Sequence, residues 1–308
     1  MLVDVDFSDV LTDAGFAPLR DEPLSKYTFT KTGGRADWLI FPRTHQETMQ
    51  LVQLAQHHGI PLTIVGNASN LIVRDGGIRG LVLILTKMDQ IRVEGTDIVA
   101  EAGARIIDVA ETAYRAGLSG LEFAAGIPGS VGGAIFMNAG AYGGQIDEVA
   151  AAITYLDRAG HQHRAAGADL HFSYRHSLIQ ENEGIVLTAR FHLVRGIKAD
   201  IRAKMDHFNA LRAAKQPLEY PSCGSVFKRP VGHYTGPLII KAGLQGKQIG
   251  GAQVSKKHAG FIVNIDHATA SDYLALIQLI QQTVWADFGV RLEPEVRIIG
   301  EAPEEDQD

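Results

Sequence analysis

Cysteine is all but missing from this chain, with Cys223 standing alone among 308 residues. A single thiol excludes an internal disulfide and agrees with a reducing compartment. Its place beside Gly224-Ser225 makes it a candidate nucleophile, although burial is the commoner fate of a lone cysteine. Long apolar runs are missing too, and the start, Met1-Leu2-Val3-Asp4-Val5-Asp6, carries acids where a secretory signal would carry lysine or arginine. The expectation is a cytoplasmic protein with no membrane partner. Positive charge is not in surplus: the formal net charge of −6 argues against a nucleic-acid surface. A phosphorylated ligand must therefore be met by local cations and backbone amides. No Walker A sequence is present, since Gly243-Leu244-Gln245-Gly246-Lys247-Gln248 lacks both the spacing and the final hydroxyl. What remains is ordinary for a soluble globular chain, 45% apolar and 21% charged, and its length calls for two or three packed units.

Strand and helix signals alternate. Residues 1 to about 30 read as a short helix and a loop, and Lys31 to Asp37 is a glycine-rich bend feeding a strand from Trp38. Thr44 and Glu47 have capping-box spacing, Leu51, Val52 and Ala55 share a helical face, and Gly59 ends that helix. The strand Leu62-Thr63-Ile64-Val65 opens onto Gly66-Asn67-Ala68-Ser69-Asn70, whose small side chains expose successive amides to an anion. A tight strand connection is the alternative. Strands follow at Leu81–Leu85 and Asp97–Ala102, then a helix over Ile106, Val109, Ala110 and Ala113 stopped by Gly117. The whole suggests an α+β arrangement with mixed sheets.

Residues 126–144 hold seven glycines among nineteen, each destabilising a plain helix or strand by roughly 0.5–1 kcal/mol relative to alanine. Close approach of the backbone to a ligand would compensate. The spacing is not that of a Rossmann dinucleotide fingerprint. His161 and His163 lie in a polar turn and read as solvated rather than metal-bound; no metal is expected. Tyr174 and Arg175 set an aromatic beside a guanidinium, which a surface ion pair would also explain. Lys198 to Lys215 is an amphipathic helix linking two domains. Further on, Gly236–Gly243 and Ser271–Phe288 read as helices, the latter with Ser271 as cap, Gly260–Asn264 as a strand, and Val290–Ile299 as a final strand placing Glu293 and Glu295 on one side. Residues beyond Gly300 are acidic and expected to fray.

Between these, Pro221-Ser222-Cys223-Gly224-Ser225-Val226-Phe227-Lys228-Arg229-Pro230 combines limiting prolines, a glycine, a hydroxyl and two cations, which suits an anion held beside a proton donor. Taken with Gly66–Asn70, Gly126–Gly133, Asn138–Tyr142, Tyr174-Arg175 and Leu292–Arg297, in this order from about residue 25 to 300, it resembles the UDP-N-acetylenolpyruvoylglucosamine reductase family. The resemblance implies a two-subdomain FAD-binding region of the vanillyl-alcohol-oxidase type (1–88 and 89–198), a C-terminal α+β substrate-binding domain (199–303) and an acidic tail (304–308). It implies noncovalent FAD, NADPH as hydride donor, a UDP-sugar enolpyruvyl ether as substrate in cell-wall synthesis, and no obligate protein partner.

By the same resemblance, FAD is held by Gly66, Asn67, Ala68, Ser69, Asn70 and Leu71, and by Gly126, Ile127, Pro128, Gly129, Ser130, Gly132, Gly133, Asn138, Ala139, Gly140 and Ala141. Arg175, Ser225 and Glu295 take the catalytic positions, and Tyr142, Tyr174 and Lys228 contact substrate. Hydride addition to C3 of the enolpyruvyl group drives charge onto C2 and the carboxylate. Arg175 would neutralise that charge, a protonated Glu295 would hydrogen-bond it, and Ser225 would protonate C2. Arg229 stands where related sequences often carry asparagine. The segment some members use as a tyrosine-bearing lid is lacking, so the chain looks like the shorter type.

Other readings start from the same residues. Ser225 to Lys228 is formally S-x-x-K and Lys31-Thr32-Gly33 is formally K-T-G, but the order is reversed relative to penicillin-recognising acyl transferases and S-D-N is absent. A flavin oxidase of the same broad fold and a flavin-binding module without catalysis are the nearer rivals.

Overall fold

A computed structural model describes residues 6–303; the expected features of the first five residues and of the 304–308 tail lie outside it. Contacts group the chain into two units, 1–20 with 38–67 and 80–212, and 21–37 with 68–79 and 213–308. The sequence division at 88/89 and 198/199 differs from this grouping. Helix Lys198–Lys215, expected as a link, belongs to the first unit up to Arg212. A four-stranded sheet runs in the order Leu19–Pro23, Arg35–Ile40, Ile78–Ile84 and Leu62–Val65, and the unit boundaries at 20/21, 37/38 and 79/80 fall inside its strands.

In the first unit, Leu62–Val65 and Ile78–Ile84 pair in parallel from Leu62↔Leu81 to Val65↔Ile84. The latter reads as an almost unbroken apolar run because both its faces are covered. Helix His45–His57 starts where Thr44 Oγ1 accepts the Glu47 amide at 3.1 Å, while the Glu47 carboxylate reaches the Arg43 amide (2.6 Å), one residue earlier than a standard capping box. An antiparallel five-stranded sheet follows, ordered Gln162–Ala166, Ala150–Leu156, Ile185–His192, Asp97–Glu101 and Ile91–Glu94. Helix Ile106–Ala116 buries Ile106, Val109, Ala110 and Ala113 and ends at Gly117, whose φ of 68° only glycine adopts readily. One apolar cluster runs from Leu51, Leu81 and Leu83 through Ile98 and Val109 to Phe191, so the two expected flavin subdomains share a core. Burial of each such side chain contributes about 1.5–3 kcal/mol.

The second unit holds an antiparallel sheet ordered Ser222–Ser225, Phe261–Asn264, Ala252–Val254 and Gln248–Ile249, covered by helix Ala270–Phe288. Tyr273, Leu276, Ile280 and Val284 from that helix are at most 1% exposed. A separate parallel pair joins Arg297–Ile299 to Leu71–Val73.

Several expectations change. Leu19–Pro23 is a strand inside the region read as helix and loop, and Ile91–Glu94 adds a hairpin arm. The long helix is capped by Thr269, in a box with Asp272, rather than by Ser271. The Ser271 hydroxyl and amide are taken by Asp75 (2.7 Å each). Only Arg297–Ile299 of the final stretch is a strand; before it, Pro294 makes a single antiparallel bridge to Phe227 that its missing N–H does not extend. Glu301 does not fray: its amide donates to the Gly77 carbonyl at 2.9 Å and its carboxylate meets Arg79 at 3.5 Å.

Candidate active site

Each unit contributes a separate set of predicted residues. In the first unit, strand Leu62–Val65 delivers Gly66 to a point where a β-carbon would run into the Ser130 hydroxyl. Asn67 Nδ2 donates to the Pro128 carbonyl at 2.8 Å, tying the small-residue loop to the glycine-dense stretch. That stretch is not wholly irregular: Ser130, buried, caps a short helix Val131–Phe136 through the Gly133 amide (3.4 Å). Gly132 lets this helix lie against Ala102. The Val131 and Gly132 amides donate to the Ala104 and Ala102 carbonyls (2.8 Å each), so these two are spent on packing.

The amides of Asn67, Ala68 and Ser69 donate to no acceptor among the described residues, and Ala68 has φ 54°. Successive amides around a left-handed residue form an anion-binding concavity. The successive amides of this loop therefore fit a flavin pyrophosphate, which Asn67 through Ser69 would hold by backbone N–H groups.

Arg175 sits at the tip of a two-residue turn rather than in or beside a strand. Ser173 and His176 exchange backbone hydrogen bonds (3.2 and 3.1 Å), and Arg175 takes φ 58°, a strained value for a non-glycine residue. The turn is held from several sides. Asn138, fully buried, donates to the Ser173 carbonyl (3.0 Å) and Asp147 (3.1 Å) and accepts the Asp147 amide (3.0 Å). Gln180 Nε2 donates to the Arg175 carbonyl (2.8 Å), and Glu181 bridges His171 and His176 at 2.8 Å each. These histidines lower the Glu181 pKa. Arg175 Nη1 reaches the Asn138 carbonyl at 3.5 Å and its guanidinium lies 5.0 Å from the exposed Tyr174 ring. The Asn138 side chain, predicted to touch the cofactor, is thus committed to holding the arginine turn.

Tyr142 stacks on Phe208, with ring centroids 5.0 Å apart and planes 6° from parallel. Burial draws the Arg212 guanidinium below its ordinary pKa, against an opposing hydrogen bond with Tyr142. Arg212 also lies against Gly126, which explains a glycine there. Beside this stack is a cavity of about 260 Å³ lined by Glu122, Phe123, Tyr142, Lys204 and Phe208 among others. Arg212 escaped the sequence reading, whereas Phe208 was read only as part of the apolar stripe of the Lys198–Lys215 helix, with Ile201, Met205 and Leu211. His161 and His163 are not merely solvated: both reach the Asp157 carboxylate, at 3.3 and 2.8 Å.

In the second unit, the strand carrying Ser225 bulges. Ser222 faces Val263 and Ser225 faces Phe261, so the Ser225 strand holds one extra residue, and Gly224 there has φ 79°. The bulge turns Ser225 to solvent while Cys223 and Val226 stay buried. Burial pushes the Cys223 thiol up to about 12, which rules it out as a nucleophile near neutral pH. Val226, next to Ser225, is held at both its backbone groups: its N–H donates to the Gly260 carbonyl (2.9 Å) and its carbonyl accepts the Glu295 amide (2.7 Å). The backbones around Ser225 and Glu295, far apart in sequence, are thereby joined through Val226. Asn70 Nδ2 donates to the Glu295 carbonyl at 3.2 Å and its own carbonyl accepts the Arg297 amide at 3.0 Å. Lys228 is paired with Glu293 through its backbone (2.9 Å) and side chain (3.4 Å). Arg229 lies 3.9 Å over the Tyr234 ring.

Residues 36–147 match the family description of an FAD-binding domain, and residues 216–299 match the C-terminal domain of UDP-N-acetylenolpyruvoylglucosamine reductase. A protein of that name from Latilactobacillus sakei is 66% identical over 284 residues, covering 92% of this chain and 94% of the relative. Another, from Levilactobacillus brevis, is 64% identical over 285 residues with the same coverage. Among solved structures, the reductase of Thermus caldophilus matches with a TM-score of 0.79 at 32% identity, over 93% of this chain and 98% of that one. Full-length likeness at this level, over both an FAD-binding and a reductase-specific region of one α+β chain, means that the chain belongs to the UDP-N-acetylenolpyruvoylglucosamine reductase family.

Proposed function

We propose that this protein is an FAD-dependent oxidoreductase that reduces the enolpyruvyl group of UDP-N-acetylglucosamine enolpyruvate to UDP-N-acetylmuramate, a step of peptidoglycan synthesis, with NADPH as donor and FAD held noncovalently. The cytoplasm is its proposed place of action. The observation that supports this chemistry is the 2.7 Å bond from the Glu295 amide to the carbonyl of Val226, the residue next to Ser225, which ties the backbones of these two distant segments together. FAD, whose pyrophosphate the Asn67, Ala68 and Ser69 amides would hold, would supply the hydride chemistry that links the nicotinamide donor to C3 of the substrate double bond.

The chain's own residues deal with the resulting charge. As the C2–C3 π bond is broken, its electrons move to C2 and the adjoining carboxylate. Ser225, exposed beyond the bulge, gives its hydroxyl proton to C2; a carbanion-like centre is basic enough that position decides the rate. Glu295 hydrogen-bonds the substrate carboxylate, and Arg175, presented by its strained turn, offers that charge a permanent planar cation. Tyr142, Tyr174 and Lys228 are proposed substrate contacts.

The flavin-loaded protein tests this reading under anaerobic conditions. NADPH should bleach its visible absorbance, and UDP-N-acetylglucosamine enolpyruvate should restore it without oxygen. Acid precipitation should leave the flavin in the supernatant. Bleaching that only oxygen reverses would point to an oxidase and overturn the substrate assignment.

A further inference from the structure

Behind the Ser225 bulge lies a histidine that none of the reaction steps uses. Strand Phe261–Asn264 is entered through the turn Ser255-Lys256-Lys257-His258-Ala259-Gly260. The buried Ser255 hydroxyl accepts the Lys257 and His258 amides (3.2 Å each), and the Phe261 amide donates to the His258 carbonyl (2.9 Å). The half-buried His258 ring folds back over Gly260: its Nδ1 accepts the Gly260 amide at 3.1 Å, and it meets the Phe261 ring edge-on at 4.8 Å. A β-carbon on Gly260 would crowd the imidazole. Phe261 is the cross-strand partner of Ser225, and the Gly260 carbonyl holds the Val226 amide. The path from imidazole to serine therefore runs through Gly260 and two hydrogen bonds, one from its amide to Nδ1 and one from the Val226 amide to its carbonyl.

We propose that His258, as neutral imidazole, is a positioning residue for Ser225: by accepting the Gly260 proton at Nδ1 it fixes the peptide that aims the serine hydroxyl. This deepens the reading of Ser225 as proton donor and rests on it. A ring nitrogen accepts a hydrogen bond only while unprotonated. Burial, and secondarily the charge of Lys215, lower the His258 pKa against an opposing hydrogen bond to its own backbone. On its own turn, the Lys257 ammonium is directed to the Ala213 carbonyl (2.8 Å) and Glu219 (4.0 Å), and Lys256 is exposed. The sign follows: the contact is complete above the ordinary histidine pKa of about 6.5 and is lost as pH falls through the lower folded value.

Two variants of the full-length flavoprotein separate positioning from mere packing. In His258→Asn the side-chain oxygen replaces Nδ1 as acceptor in an Asx-type turn and does not titrate. In His258→Ala the acceptor is gone. With His258→Ala, reoxidation of the reduced flavin by the enolpyruvyl substrate should slow by about tenfold or more, while NADPH reduces the flavin within about twofold of the parent rate. His258→Asn should recover most of the reoxidation rate and flatten its decline below about pH 6.5. Amide hydrogen exchange at Gly260 should be fast in the alanine variant and protected in the asparagine variant. Normal reoxidation in His258→Ala, equal rates in the two variants, or equal loss in both half-reactions would overturn the proposal. Ser225→Ala, measured alongside, locates the failure: if it reoxidises normally, the proton-donor reading falls; if it is slow while His258→Ala is not, only the positioning role falls.

Discussion

Replacing Gly224 by alanine isolates the bulge that presents Ser225. The backbone there has φ 79°, and a β-carbon would meet no heavy atom within 4 Å. No clash contributes, so the cost is that of holding an L residue in left-handed backbone, about 1–2 kcal/mol. The chain can respond in two ways. If the bulge persists, stability falls by that amount, lowering the melting temperature by about 2–4 °C per kcal/mol for a unit of this size. If φ relaxes instead, the extra residue is lost from the strand, Ser225 shifts phase, and melting changes little while reoxidation by the enolpyruvyl substrate slows. Calorimetry and anaerobic stopped-flow absorbance on the same sample distinguish the two. Gly224→Asn is the control, since asparagine tolerates left-handed backbone better than other side chains, and it should recover most of the loss. An alanine variant unchanged in both melting and reoxidation would refute the reasoning.

Two further outcomes depend on buried groups. Glu122, 4% exposed, accepts from the Ser119 hydroxyl (2.6 Å) and the Gly120 amide (2.8 Å); burial raises its pKa, but these bonds and the Lys204 charge outweigh it and the net shift is downward. Its stabilisation is thus present above the unfolded carboxyl value of about 4.3 and lost as pH falls through the lower folded value, so Glu122→Gln should cost about 1–3 kcal/mol in urea melts at pH 7 and less at acid pH. A cost that does not shrink with acid would contradict the charged role. Cys223, 2% exposed with its thiol pushed up to about 12, should resist a disulfide reagent in the native protein and react once the chain is unfolded. Rapid labelling of native protein would show that the strand opens.

Features with purely local causes could be read from the sequence. The Thr44 cap and the Gly117 stop depend on neighbours within one turn, and both stand where their chemistry required. Ser225 and Glu295 could be named from their motifs, but not the Val226 backbone bond that joins their segments or the bulge beside it, since a bulge is defined by the partner strand. The cap of the long helix was misplaced by two residues because serine is intrinsically the better capping type, and only the contact of Ser271 with Asp75, remote in sequence, leaves the cap to Thr269. The arginine turn could not be read from the sequence for a related reason: Asn138 and Gln180 hold Arg175 in a backbone conformation its own propensity disfavours. Arg212 carried no local sign at all, as its contacts with Gly126 and Tyr142 exist only once the helix is packed.

The assignment of the C2 proton to one hydroxyl is tested most directly by the two half-reactions of Ser225→Ala, followed separately by flavin absorbance without oxygen. The exposed side chain makes the substitution structurally mild. NADPH should bleach the variant at close to the parent rate, and reoxidation by UDP-N-acetylglucosamine enolpyruvate should be slower by about 10²–10⁴-fold, the usual loss on removing a general acid. Reoxidation at the parent rate would mean that another group protonates the substrate.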